Sequence, residues 1–436
     1  MGGIRHQPVT DGAGTSTNAY THHTYTHTHT TQDATMHDTR DTDKIQDTDE
    51  ARDTAETAKT MLTARPPLWR RLLRRDAGFG VLVLAALLVT VLIISRIPPA
   101  TSPTTPSRQA SGTAPPVSSS DAVARPANAQ IIPMPTSRAG LMQPAADAQG
   151  NIWVGEMTTN KLARINPRTG EVTEWTPPNG QYNIMATAID RQGGVWFTEQ
   201  VANYIGRFDP ATEAFKIYSL DQAIGPRMAP QDLAFDASGK LWFTLIGGRI
   251  GRLDPASGAM QSWPVPLPKG ASRAYPFSLA VTPKAIWFGY LTGGALGRLD
   301  PATGKITLLA LANPQAAVYA MAADRSGRIW FTEMQQPGVL GSIDPATGKV
   351  TEAPVPRLLG DPSILYGVVT TSDGSVWFAS AGANALVRYQ PAKDLYTFYQ
   401  MPASQSIPFG LALGPKGDVW ISGDGADNNY VARVTP

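Results

Sequence analysis

Three glutamates recur at one offset. Glu156, Glu199 and Glu333 each stand three residues after a tryptophan, in the strings WVGE, WFTE and WFTE. Carboxylates repeated in this way could hold a divalent cation or move a proton. A second offset collects different chemistry. Eleven residues before each recurring tryptophan, and ten before Trp287, stand Met142, Met185, Gln231, Phe277, Tyr319, Tyr366 and Phe409. Aromatic and thioether side chains suit contact with a small or peptidic ligand more than acid–base work. Much else is excluded. The chain has no cysteine, so it has no disulfide, thiolate zinc site, iron–sulfur cluster or cysteine nucleophile. Its six histidines are His6, His22, His23, His27, His29 and His37, so no imidazole base or ligand lies beyond residue 37. A net charge of +2 over 436 residues gives no electrostatic footprint for nucleic acid.

These residues are placed by a repeat. A tryptophan in a short apolar string occurs at Trp153, Trp196, Trp242, Trp287, Trp330, Trp377 and Trp420, at spacings of 43, 46, 45, 43, 47 and 43. A period in the forties with four short strands per copy predicts an all-β, seven-bladed β-propeller over 130–436. Each copy reads as a small apolar strand, a turn such as DASGK, the tryptophan strand, a third strand such as YIGRF, a DPATGK-type turn and a fourth strand. The last copy stops after its third strand. The missing fourth is expected from Gln130–Pro135, which would close the ring without a disulfide. The tryptophans are expected to pack between adjacent blades, and Arg164, Arg207, Arg252, Arg298, Arg388 and Arg433 to bridge blades. The seven residues of the second offset should ring the mouth of the central channel, either as a ligand funnel or as a plug. The three glutamates end their strands and should rise to the same face. Arg227, Asp232, Arg273 and Tyr275 read as loop residues just before innermost strands, near that face.

The preceding third has another character. Residues 1–60 are rich in Thr and Asp and poor in apolar side chains, which predicts a disordered tail. Residues 61–76 carry Arg65, Arg70, Arg71, Arg74 and Arg75. Ala77 to Ser95 is uncharged for 19 residues, about 28 Å as a helix, close to a bilayer core. Residues 77–96 therefore read as an uncleaved transmembrane signal anchor. The arginine excess before it places the N-terminus in the cytoplasm and the propeller in the periplasm or outside the cell. A start at Met61 would give such an anchor its usual form, which marks 1–60 as a candidate over-extension of the gene. Residues 97–129, rich in Pro, Ser, Thr and Ala, read as a flexible linker.

The run Trp196-Phe197-Thr198-Glu199-Gln200-Val201-Ala202-Asn203-Tyr204-Ile205-Gly206-Arg207, repeated in variants around the ring, closely resembles the virginiamycin B lyase (streptogramin lyase) family. The resemblance covers about 130–436. It implies opening of a cyclic depsipeptide by elimination, with a histidine base in a P-H-G motif and Mg2+ as cofactor. A second histidine and two glutamates would support that base. Carried over by motif, the base falls on Tyr366 in Leu365-Tyr366-Gly367-Val368. The E-P-H-G run becomes Ile407-Pro408-Phe409-Gly410, and the last glutamate falls near Asp424. None of these positions is a histidine, and an unperturbed tyrosine, with a pKa of ~10, is a poor base at neutral pH. The sequence therefore points first to a membrane-anchored, extracytoplasmic module that binds a small-molecule or peptide ligand at the channel mouth. The alternative is a divergent metal-dependent C–O lyase with Tyr366 and Asp424 as catalytic candidates.

Overall fold

A computed structural model describes residues 121–178, 183–359, 363–402, 407–424 and 429–435. The expected tail, anchor and most of the expected linker lie outside the described residues. Among the described residues no helix is long and apolar enough to cross a membrane.

Seven sheets follow one another along the chain, each built on four antiparallel strands, consecutive in all but the last, with a fifth strand added in parallel on blade six. Blade two is typical: Ile184–Ile189, Val195–Glu199, Tyr204–Asp209 and Ala214–Ser219, from the channel outward. Blade seven joins the two ends of the domain. Asn128–Pro133 pairs antiparallel with Tyr430–Thr435, with Ile131 opposite Ala432, as the truncated last repeat requires.

The repeat has a packing reason. Trp196 has no exposed surface. It stacks on Tyr218 of its own blade at 5.2 Å and meets Phe235 of the next blade edge-on at 5.9 Å. Apolar clusters of this kind fill the wedges between blades. On the third strand, a Cβ at Gly206 would collide with the Phe197 ring, and Gly251, Gly297 and Gly341 stand likewise over Phe243, Phe288 and Phe331. The G of the recurring IGR string is thus the room its blade leaves for the F of WF.

A recurring aspartate turn ties four of the tryptophans down, Asp147, Asp190, Asp236 and Asp324 accepting the indole N–H of Trp153, Trp196, Trp242 and Trp330. Asp190 accepts the Trp196 indole N–H at 2.8 Å and the Arg207 Nε–H at 2.9 Å, while the N–H groups of Gln192 and Gly194 donate to its other oxygen. Burial pushes this carboxyl up, but the donors from Trp196, Arg207 and Gly194 outweigh it and hold it below the usual range. The recurring arginines therefore close their own blades instead of bridging blades. Arg207 is the register partner of Trp196, and the same pairing sets Arg164 over Trp153 and Trp175, and Arg252 over Trp242 and Trp263.

The stretch read as linker ends earlier than its composition suggests. Asp121–Pro126 forms a fifth strand on blade six, parallel to Leu395–Gln400. Ala122 packs against the cluster holding Tyr396 and Phe398, and the Ala127 N–H donates to the Gln400 carbonyl at 3.0 Å. The strand carries one β-branched residue and ends in proline, so little in its composition marks it as a strand.

Candidate functional site: the central channel

In four of the seven blades a hydroxyl two residues after the tryptophan holds the channel ring together. Thr198 donates to the carbonyl of Gln231 at 3.1 Å, Thr244 to Phe277 at 2.9 Å, Thr332 to Tyr366 at 2.8 Å and Ser422 to Met142 at 2.9 Å. Each of these hydroxyls also accepts an N–H from the innermost strand of its own blade, at Ala186, Asp232, Ala320 and Gly410. A single side chain thus fixes the next blade's ring residue against its own blade. Gln231 is held further by Gln200, whose Nε2 donates to its Oε1 at 2.7 Å.

The ring is uneven. Phe277, Tyr319, Tyr366 and Phe409, from blades four to seven, pack on one another. Centroid distances are 5.0 Å for Phe277–Tyr319, 4.7 Å for Tyr319–Tyr366, 4.4 Å for Tyr366–Phe409 and 5.5 Å for Tyr319–Phe409. Tyr366 is left with 1 % exposure. Burial, then the neighbouring Tyr366 and Asp232, lift the Tyr319 hydroxyl well above the usual tyrosine value. Met142, Met185 and Gln231 occupy the other side of the ring.

A cavity of 260 Å³ begins at this ring. Six of the seven ring residues line it; Tyr366 does not. Every other lining residue comes one to three positions after a ring residue, so the cavity runs from the ring toward the end of the blades where innermost strands turn into tryptophan strands. Its one charged lining residue is Asp232. Asp232 lies inside the innermost strand Pro230–Phe235, not in the loop before it. A register shift between Pro230 and Leu233 accompanies its place on the channel wall. Asp232 accepts N–H groups from Leu233 and from Leu279 of the next blade, each at 2.9 Å. Burial lifts its carboxyl to about 6, against the pull of those two donors.

The structure does not bring the three glutamates to this cavity. Glu156, Glu199 and Glu333 end their strands at the level of the ring, as expected, but none has exposed surface and none lines the cavity. They lie on blades one, two and five. Glu156 is hydrogen-bonded by the Thr159 hydroxyl, and Glu199 accepts the Ala202 N–H. Asp424 ends a strand of blade seven opposite Ile407, and its side chain lies outside the described residues. A magnesium ion requires several converging oxygens. Among the described residues no three His, Cys, Asp or Glu side chains converge.

A sevenfold propeller closed by its own N-terminal strand, with a ligand-sized channel cavity, defines a class shared by many proteins. The chain belongs to the virginiamycin B lyase family, whose profile matches residues 127–434. A streptogramin B lyase structure is 24 % identical with a TM-score of 0.62, over 70 % of this chain and 97 % of that one. Virginiamycin B lyase from Staphylococcus aureus is 24 % identical with a TM-score of 0.62, over 71 % and 99 %. Kuenenia stuttgartiensis hydrazine synthase shares the fold alone, at 14 % identity and a TM-score of 0.55, over 66 % and 94 %. Comparison with curated proteins finds no match.

Proposed function

We propose that this chain is a binding propeller of the lyase family, anchored by 77–96 outside the cytoplasm, which holds a small molecule or peptide end in its channel and does not carry out the family's elimination. The observation that carries this reading is the cavity lining. It offers aromatic, methionine and aliphatic surface around a single carboxylate, and no imidazole stands anywhere beyond residue 37. Elimination needs a base near working pH at the reacting carbon and a stabiliser for the developing oxyanion. Tyr366, on which the family's base falls by motif resemblance, is packed among aromatic rings instead.

One structure at 24 % identity is a catalytically inactive virginiamycin B lyase from Staphylococcus aureus with quinupristin, which makes that ligand class the first to try. Full-length protein is incubated with Mg2+ and a streptogramin B-type depsipeptide, and ring opening is followed by chromatography. The ring stays closed on this reading. Opening at a rate comparable to an active family lyase would establish the alternative, a divergent C–O lyase, and Tyr366, Asp424 and Asp232 would be the first residues to replace.

A further inference from the structure

Resting on the reading of the channel as a binding site, we infer that its ligand is a small organic cation, an ammonium group seated between the Asp232 carboxylate and the faces of Phe277, Tyr319 and Phe409. Three features of the cavity converge on this chemistry. The first is a carboxylate that has backbone N–H donors but no cation beside it. Asp232 is the only charged residue of the lining, and among the described residues no ion pair involves it. A carboxylate enclosed without a cation is costly to keep ionised, and a bound cation removes that cost.

The second feature is the wall. Aromatic faces attract a cation through their quadrupole, most strongly where water is excluded. Phe277, Tyr319 and Phe409 line the same cavity as Asp232, and Asp232 lies near enough to Tyr319 to disfavour its phenolate. Met142 and Met185 supply polarizable contact surface for the alkyl groups of such a ligand. The third is size. At 260 Å³ the cavity lies below the ~300 Å³ at which drug-sized pockets begin, so it admits a compact head group and not a folded peptide.

A metal ion fits less well. Both Asp232 oxygens already accept backbone N–H groups, and thioethers and aromatic rings are poor partners for a hard cation. An anion would face the one carboxylate with no donor cation beside it.

The test uses the full-length chain in an uncharged maltoside detergent, with methionine methyl groups labelled for NMR. Choline is titrated beside 3,3-dimethylbutan-1-ol, its neutral carbon isostere, and beside magnesium chloride. Choline is expected to shift the methyl signals of Met142 and Met185 and to bind at least about tenfold more tightly than the neutral isostere. Asp232→Asn should cut choline affinity by about tenfold and leave the isostere unchanged. Tyr319→Leu should weaken choline more than the isostere. Equal binding of choline and the isostere by the unaltered chain overturns the cation assignment while leaving the cavity a ligand site. Magnesium shifting the same methyl groups at lower concentration than choline overturns it in favour of a metal. If neither choline nor the isostere moves the methyl signals, the cation assignment falls together with the reading of the cavity as a binding site.

Discussion

Blades one and five bury a glutamate at the same place and treat it differently. In blade one Glu156 lies beside Glu174. Across the strands Lys161 stands in register with Glu156, and its Nζ reaches Glu174 at 2.5 Å while Thr136 donates to both Glu174 oxygens. Burial pushes Glu174 up, but Lys161 and Thr136 outweigh it and hold that carboxyl below its usual range. Glu156 is left to absorb the desolvation and is pushed up to about 7. In blade five Val339 occupies the register position of Lys161, opposite Glu333. Burial first, then the neighbouring Glu352, push Glu333 up to about 8. Neither Glu333 oxygen finds a donor among the described residues, so the neutral acid, donating toward Glu352, is the form this site favours. Blade two lacks the second carboxylate, with Ile217 at the position of Glu174, and its Glu199 faces Tyr204. The fold fixes where the glutamate goes. Burial raises its pKa in both blades, and the residues on the neighbouring strands set what stands beside it.

The largest effect should come from removing the acid in blade five. Unfolded, Glu333 loses its proton near 4.5; folded, it keeps the proton to about 8. The folded state therefore binds more protons across that window, and stability falls as pH rises from 4.5 to about 8. Glu333→Gln has no proton to lose and can still donate to Glu352. Urea unfolding should show no gain at pH 4 and a gain on the order of 3 kcal/mol at pH 8. Parallel pH profiles for the two proteins would show that Glu333 is ionised in the fold. The next effect is the reverse experiment in blade one. Lys161→Met makes it resemble blade five and leaves two carboxylates without a cation. A fully buried pair broken in this way costs about 3–5 kcal/mol. Lys161 is 31 % exposed, so a loss of about 2 kcal/mol at pH 7 is expected, shrinking toward pH 4 as the carboxylates protonate. An unchanged unfolding midpoint at pH 7 would mean that water, not Lys161, compensates Glu174.

The same contrast shows what could be read from the chain and what could not. The blades were legible because each must fill the same wedge. That fixes the tryptophan in all seven and, in four blades apiece, a glycine opposite phenylalanine and a hydroxyl that carries the next ring residue. The ring was legible for the same reason. Whether the glutamates face solvent was not, because that depends on residues such as Val339 and Lys161 that reach them only through strand register. Asp232 was read as a loop residue because Gly225, Pro226 and Pro230 mark the segment before it as irregular. The strand begins at Pro230 all the same, and the carboxylate joins the channel wall. The strand Asp121–Pro126 was hidden by a composition that matches the linker upstream of it.

The smallest expected effect sharpens the comparison most. Val339→Lys gives blade five the cation that blade one has, without touching either glutamate. Val339 sits opposite Glu333 on the third strand, with the backbone of Pro354 in register on its other side, as Lys161 sits beside the fourth strand in blade one. The new ammonium should favour the ionised form of Glu333 by offsetting its repulsion from the neighbouring carboxylate. The destabilisation between pH 4.5 and 8 should then shrink by about 1 kcal/mol at pH 8, with little change at pH 4. Val339 is buried, so the lysine must bring its stem into the place of the valine and its charge to the carboxylates. A protein destabilised equally at both pH values would show that packing outweighs the charge there. A protein stabilised only at the higher pH would show that the two blades differ by that single residue.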